Sequence, residues 1–105
     1  MATELQCKGK SGKMYKYTIY DLGTQFSAVP GNYLFVKKLA NGSHNILYAG
    51  ETGDLSERFD DHHKMTCIMR QGATHIHVHK SSGDKKVRRA EEADIREEWD
   101  PPCNG

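Results

Sequence analysis

The chain lacks any apolar run approaching the ~18–20 residues that span a bilayer, and its first residues carry no apolar core of the signal-peptide kind. The expectation is a cytoplasmic protein with no membrane partner. It also lacks an excess of either charge: 15 Lys and Arg stand against 14 Asp and Glu, for a net charge of +1. A protein that grips nucleic acid by bulk electrostatics is far more basic, so any polyanion site here must be a local cluster. Cysteine is scarce: Cys7, Cys67 and Cys103 are three widely spaced residues with no CxxC pair. An odd number without framework spacing reads as reduced thiols. No internal repeat or low-complexity tract is present. What remains is 105 residues, 36% hydrophobic and 28% charged, enough for one small folded domain. A domain of this size buries roughly 60–65% of the surface its unfolded chain exposes, which allows one modest core.

Residues 1–28 read as an N-terminal extension and 29–105 as the main domain. Met1 to Lys13 is polar and glycine-rich, the composition of a flexible leader. Tyr15 to Tyr20, YKYTIY, is β-branched and aromatic and reads as a strand. The clearest local signal comes next, where GNYLFVKKL and HNILYAG flank Asn41-Gly42, the strongest short-range mark of a hairpin. A two-residue turn there sets Lys37 opposite Ile46, Phe35 opposite Tyr48 and Tyr33 opposite Gly50. Tyr33, Phe35 and Tyr48 then share one sheet face, with the two tyrosines diagonal neighbours. A four-residue loop keeps that parity and a three-residue loop breaks it.

Beyond the hairpin, Asp54 followed by Glu57 matches a capping box, so a helix is expected to start there. Leu55 and Phe59 would form its buried stripe, and Arg58 and His62 would share another face. A second helical stretch runs from Met65 to Arg70 and ends at Gly72. From Thr74 to His79 the pattern alternates strictly, Ile76 and Val78 on one face and His75, His77 and His79 on the other, as in a half-buried strand. Asp84 to Trp99 has no Gly or Pro and reads as a helix closed by Pro101-Pro102. Lys85, Lys86, Arg88 and Arg89 crowd its start against the helix dipole, which a nearby anion would explain. Glu92, Ile95 and Trp99 fall on one stripe of this helix, so Glu92 points inward with apolar company.

Several of these residues have ordinary readings when taken singly. Tyr33 and Tyr48 are common sheet-core aromatics, Arg58 and Glu92 are common ion-pairing or solvated charges, and a lysine-arginine run is usually a solvated face. His75, His77 and His79 invite a metal reading, but same-face neighbours on a strand stand ~7 Å apart and no Cys or Asp completes the set. A structural zinc held by His62, His63 and Cys67 is a further alternative.

The order of motifs adds more than its parts. Gly31-Asn32-Tyr33 is followed by Tyr48-Ala49-Gly50, then Thr52, Leu55, Arg58 and His62. Glu92-Ala93-Asp94-Ile95 then lies ahead of Asn104, twelve residues after the glutamate. This set resembles the GIY-YIG nuclease superfamily over roughly residues 29 to 104, and most of all the nuclease domain of the excision-repair excinuclease subunit and small free-standing bacterial proteins. Asn32 and Ala49 stand where the family motif has isoleucine, and no separate DNA-binding domain is attached. The resemblance implies an α+β fold, a small, mainly antiparallel three-stranded sheet flanked by helices. It also implies a metal-dependent endonuclease that hydrolyses DNA phosphodiesters by activated-water attack. Glu92 would hold Mg²⁺ or Mn²⁺, Arg58 the phosphate, and Tyr33 or Tyr48 would position or deprotonate the water. His62 would accept a proton or hydrogen-bond a tyrosine, while Thr52, Arg88 and Asn104 would support or contact the substrate. The chemistry suits these types: a hard cation accepts one carboxylate plus waters and phosphate oxygens, and a guanidinium fork matches a phosphate. Near-neutral charge suggests a protein partner that supplies specificity. The alternative is a nucleic-acid-binding module with a silent or degenerate site.

Overall fold

The computed structural model describes residues 4–57, 63–81 and 83–104. Five strands are present among them: β1 (Glu4–Lys8), β2 (Met14–Asp21), β3 (Gly31–Lys38), β4 (His44–Thr52) and β5 (His75–Lys80). Two α-helices accompany them, α1 (Met65–Arg70) and α2 (Lys85–Trp99), with a 3-10 turn at Pro102–Asn104. All four strand pairings are antiparallel and the order is β1-β2-β5-β3-β4. No helix among the described residues is long and apolar enough to cross a membrane.

This corrects the expected fold class. The three-stranded sheet flanked by helices is in fact a five-stranded antiparallel sheet with two helices, most of its regular structure β. The difference arises at the N-terminus. Glu4–Lys8, read as part of a flexible leader, is a strand that hairpins onto β2 through Gly9–Lys13. It is held because Cys7, Tyr15 and Tyr17 are buried together under α2 with Ile95. Helical cover is also thinner than expected. Over Asp54–Glu57 the capping-box residues make a turn instead: the Asp54 carboxylate accepts from the Ser56 backbone, and Thr52 bonds both Asp54 and Glu57. The proposed continuation through Arg58, Phe59 and His62 lies outside the described residues.

Both faces of the sheet are buried. Tyr33, Phe35, Leu47, Tyr48, Ile76 and Val78 face one core, closed by Leu55, Ile68 and Cys103. Leu34, Val36 and Ala49 face the other, under α2. The hairpin combines two departures that cancel. Its turn holds three residues, with Leu39 N–H donating to Ser43 and Gly42 at φ 88° bonding back to Leu39. That pairs Lys37 with Asn45, one residue off the expected register. A β-bulge at Leu47 then restores it, so Phe35 meets Tyr48 and Tyr33 meets Gly50 as the sequence suggested. The bulge also sends Leu47 and Tyr48, neighbours in sequence, into the same core.

Other expectations hold closely. Helix α1 spans Met65–Arg70 and ends at Gly72, whose φ of 89° requires glycine. Helix α2 is capped by the Asp84 side chain on Lys86 N–H and stops at left-handed Asp100, just before Pro101. Trp99, expected on the buried stripe, is half exposed and donates its indole N–H to the Lys8 carbonyl, which ties α2 to β1. The thiols are also corrected. Cys67 and Cys103 form a disulfide across Cα atoms 5.8 Å apart, and only Cys7, buried, stays free.

His77 is buried on the α2 side of the sheet, and its Nε2 has no hydrogen-bond partner among the described residues. The His44 ring meets it edge-on at 5.3 Å. Burial first, and then His44 and His75, lower its pKa from 6.5 to about 4. Above the ordinary imidazole range His77 is neutral whether the chain is folded or not. As pH falls through that range only the unfolded chain takes the proton, so stability drops until the folded pKa is reached. The expected loss from pH 7 to 4 attributable to His77 is ~3 kcal/mol. Urea melts across this range should be steep for the wild type and flatter for His77→Leu. Parallel curves would remove His77 as the source.

Candidate active site

Strands β3 and β4 bring the two half-motifs together as side chains. The Tyr33 ring lies across Gly50, such that a Cβ there would stand 2.5 Å from Tyr33 Cζ and 2.6 Å from its hydroxyl. Gly31 is confined in a similar way, its would-be Cβ 2.8 Å from both the His79 carbonyl and Leu55. Both glycines are therefore close-approach positions, which gives the terminal residues of GxY and YxG a physical reason. Tyr33 and Tyr48 stack with centroids 6.2 Å apart and planes inclined by 29°, and they share a hydrogen bond. The His63 ring meets Tyr48 edge-on at 6.3 Å.

Glu92 completes this group. It is half-buried on α2 and accepts no hydrogen bond or ion pair among the described residues. Burial raises its pKa, the Glu51 carboxylate raises it further, and Arg96 and Arg89 pull it back. Its charge is felt by both phenols. Tyr33 and Tyr48 are pushed up from the ordinary tyrosine range, first by burial, with Glu92 adding to the rise in each. Both hydroxyls are thus neutral near pH 7. They are hydrogen-bonding groups there, not preformed bases.

The neighbouring glutamate is spoken for. Glu91, adjacent in sequence, turns toward β5, where its carboxylate takes the Ser81 hydroxyl and His79 Nε2, the latter at 3.2 Å. Arg88 is placed differently from expectation. It is 5% exposed, its Nε donates to Glu51 at 2.9 Å and its Nη1 to the Gly83 carbonyl at 2.9 Å, so its guanidinium is built into the fold. Asn32 bonds the Arg88 carbonyl, which ties the middle residue of GxY to α2. Lys85, Lys86 and Arg89 are the exposed members of that basic run. Thr52 organises the turn that follows β4.

Asn104 does not face outward to a substrate. Its Oδ1 accepts from Ala49 N–H at 2.8 Å and its Nδ2 donates to Ala49 C=O at 2.9 Å. The side-chain amide therefore caps the outer edge of β4 between Tyr48 and Gly50, as a neighbouring strand would. Arg58 and His62 lie outside the described residues. Arg96 and Glu51 escaped the sequence reading. Arg96 sits one turn beyond Glu92, a spacing that could have drawn it in; Glu51 had no signal, since its partner Arg88 is 37 residues away. The histidines of β5 do not converge on one point: His75 reaches Thr74 and Asp21, His79 reaches Lys16 and Glu91, and His77 lies between them, buried. No group of three His, Cys, Asp or Glu poised for a metal occurs among the described residues.

Compared with models of known protein families, with curated proteins and with solved structures, the chain matches none.

The fit of Tyr33 over Gly50 is testable without any substrate. Gly50→Ala is expected to cost about 1–3 kcal/mol by forcing the ring aside. Gly53→Ala, whose Cβ would meet only Arg88 Nη2 at 3.5 Å, should be close to neutral. Denaturant midpoints of the two variants give the comparison, and equal midpoints would contradict the close approach.

Proposed function

We propose that this protein is a divalent-metal-dependent endonuclease that hydrolyses DNA phosphodiesters, with its site at the motifs that resemble GIY-YIG nucleases. The observation that carries the reading is Glu92: a half-buried carboxylate without a protein partner among the described residues, set beside two stacked phenols. A carboxylate in that position is costly unless something cationic meets it. The donor set fits a hard cation such as Mg²⁺ or Mn²⁺, which takes one carboxylate and fills its shell with water and phosphate oxygens. When bound, such a cation stabilises negative charge on the phosphoryl oxygens.

The chain's own groups have these roles in the proposal. Glu92 holds the cation. Tyr33 and Tyr48, as neutral hydroxyls, orient the attacking water, and either relays the water's proton by accepting it as its own hydroxyl proton passes to His62. Arg58 pairs with the phosphate, and His62 takes up a proton. Asn104 and Thr52 act through structure, one on the β4 edge and one on the turn beyond it. With a net charge of +1, affinity for long DNA comes from local contacts or from a protein partner. A second reading, a nucleic-acid-binding module without cleavage, is favoured by the depth of the rings, since Tyr33 and Tyr48 are only 5% and 8% exposed.

Paired carboxamide variants separate the readings. Glu92→Gln should lower Mn²⁺-dependent nicking on the order of 10²–10³-fold with an unchanged or slightly higher Tm, because a carboxylate disfavoured by burial is removed. Glu91→Gln should nick within a few-fold of normal but lose stability with its His79 and Ser81 bonds. Tyr33→Phe and Tyr48→Phe should each slow nicking, and together by less than the product of the two. A panel of plasmid, flap, junction and single-stranded substrates is the readout. Binding without cleavage across that panel would establish the silent module instead.

A further inference from the structure

The disulfide and the candidate site share one small region. Cys103 belongs to the core cluster that contains Tyr33 and Tyr48, and the next residue is Asn104, whose amide brackets Ala49. At its other end the bridge is anchored in α1, whose first residue follows His63 by two positions, and His63 packs on Tyr48. One covalent bond thus joins α1, just after the His63 that packs on Tyr48, to the C-terminal turn whose Asn104 holds the outer edge of β4. Besides that bond, the Pro102–Asn104 turn is held by the Asn104–Ala49 pair, by Asn104 N–H on the Pro101 carbonyl and by the burial of Cys103 in the core.

We propose that the Cys67–Cys103 disulfide is a redox latch on this site, holding Asn104 on Ala49, and with it Tyr48, when oxidised and releasing them when reduced. The inference rests on the endonuclease reading for its functional consequence, but its structural part stands independently. The reductant is a dithiol. One of its thiolates attacks Sγ of Cys67, the partly exposed partner, and Cys103, which is buried, leaves as a thiolate and takes a proton. The second thiol of the reductant then displaces Cys67 from the mixed disulfide. Two thiols are formed on the protein and one disulfide on the reductant, so electrons and protons balance. Cys7 does not compete: it is 4% exposed, and burial pushes its thiol up to about 11.

The amide of Ala49 reports the latch directly, because its hydrogen bond goes to Asn104 and not to a strand. Hydrogen exchange is measured on the full chain before and after dithiothreitol, with nicking of plasmid by the same samples in Mn²⁺. The expected result is exchange at Ala49 at least tenfold faster after reduction, with the β2–β5 amides unchanged and nicking slowed to a similar degree. Cys67→Ser/Cys103→Ser should match the reduced protein and ignore dithiothreitol. Asn104→Ala should show the fast Ala49 amide with its disulfide intact. Unchanged exchange at Ala49 overturns the latch. So does a uniform rise across the whole sheet, which would make the bridge a general staple. An equal nicking rate in both redox states, with Ala49 released, overturns its control of the site. If neither state nicks any substrate while Ala49 still responds, the endonuclease reading fails and the structural latch stands.

Discussion

Every residue of β3 from Gly31 to Val36 is buried, and that strand lies between β5 and β4 with covered faces above and below. A strand dry on both sides must recruit cover twice. Helix α2 and the β1–β2 hairpin supply it on the Leu34 and Val36 face, while α1, the turn around Leu55 and the C-terminal residues supply it on the Tyr33 and Phe35 face. The candidate site forms where these two kinds of cover meet, at the β4 end of the sheet. Tyr33 comes from one face, Glu92 from the helix that caps the other. Glycine at position 50 leaves space for the Tyr33 ring there.

The same economy governs the polar groups around the site. Glu51, Asn32 and Gly83 each bond Arg88 and fix the start of α2 against the end of β4. Glu91, Ser81 and His79 do the equivalent on the β5 side. Two glutamates adjacent in sequence therefore have different surroundings, decided by about 100° of helix rotation: Glu91 meets His79 and Ser81, whereas Glu92 accepts from no side chain among the described residues. That asymmetry is what a functional carboxylate requires, since a group already satisfied by its own fold has little to offer a ligand.

Much of this was legible in local patterns. Asn41-Gly42 fixed the hairpin, the alternation of His75 to His79 fixed β5, and Asp84 with Pro101 bounded α2, because each signal is a local preference that tertiary contacts reinforced. Register survived for a subtler reason. A three-residue turn displaced it and the Leu47 bulge displaced it back, and neither has a signature in the sequence. The signals that misled were local ones overruled by distant contacts. Glu4–Lys8 has only two apolar residues, Leu5 and Cys7, and becomes a strand because β2 and α2 lie beside it. Asp54 and Glu57 have the letters of a capping box, but Thr52 claims both for a turn. Cys67 and Cys103 are 36 residues apart, and their pairing depends on the fold that brings α1 to the C-terminal turn. The addition of β1 and β2 to the hairpin and β5 accounts for the difference between the expected three-stranded layout and the sheet that forms.

An exposed strand edge is a template for another strand, and β4 is such an edge. Asn104 occupies it with a single amide group that presents one donor and one acceptor, the equivalent of one peptide unit of a sixth strand. The sheet is thereby ended by a side chain, at the residue between Tyr48 and Gly50. A chain shortened by its last few residues would present that position bare, and the most direct partner for its unpaired N–H and C=O is the same edge of another copy. The residue beside the candidate site thus also closes the edge of the sheet at that point.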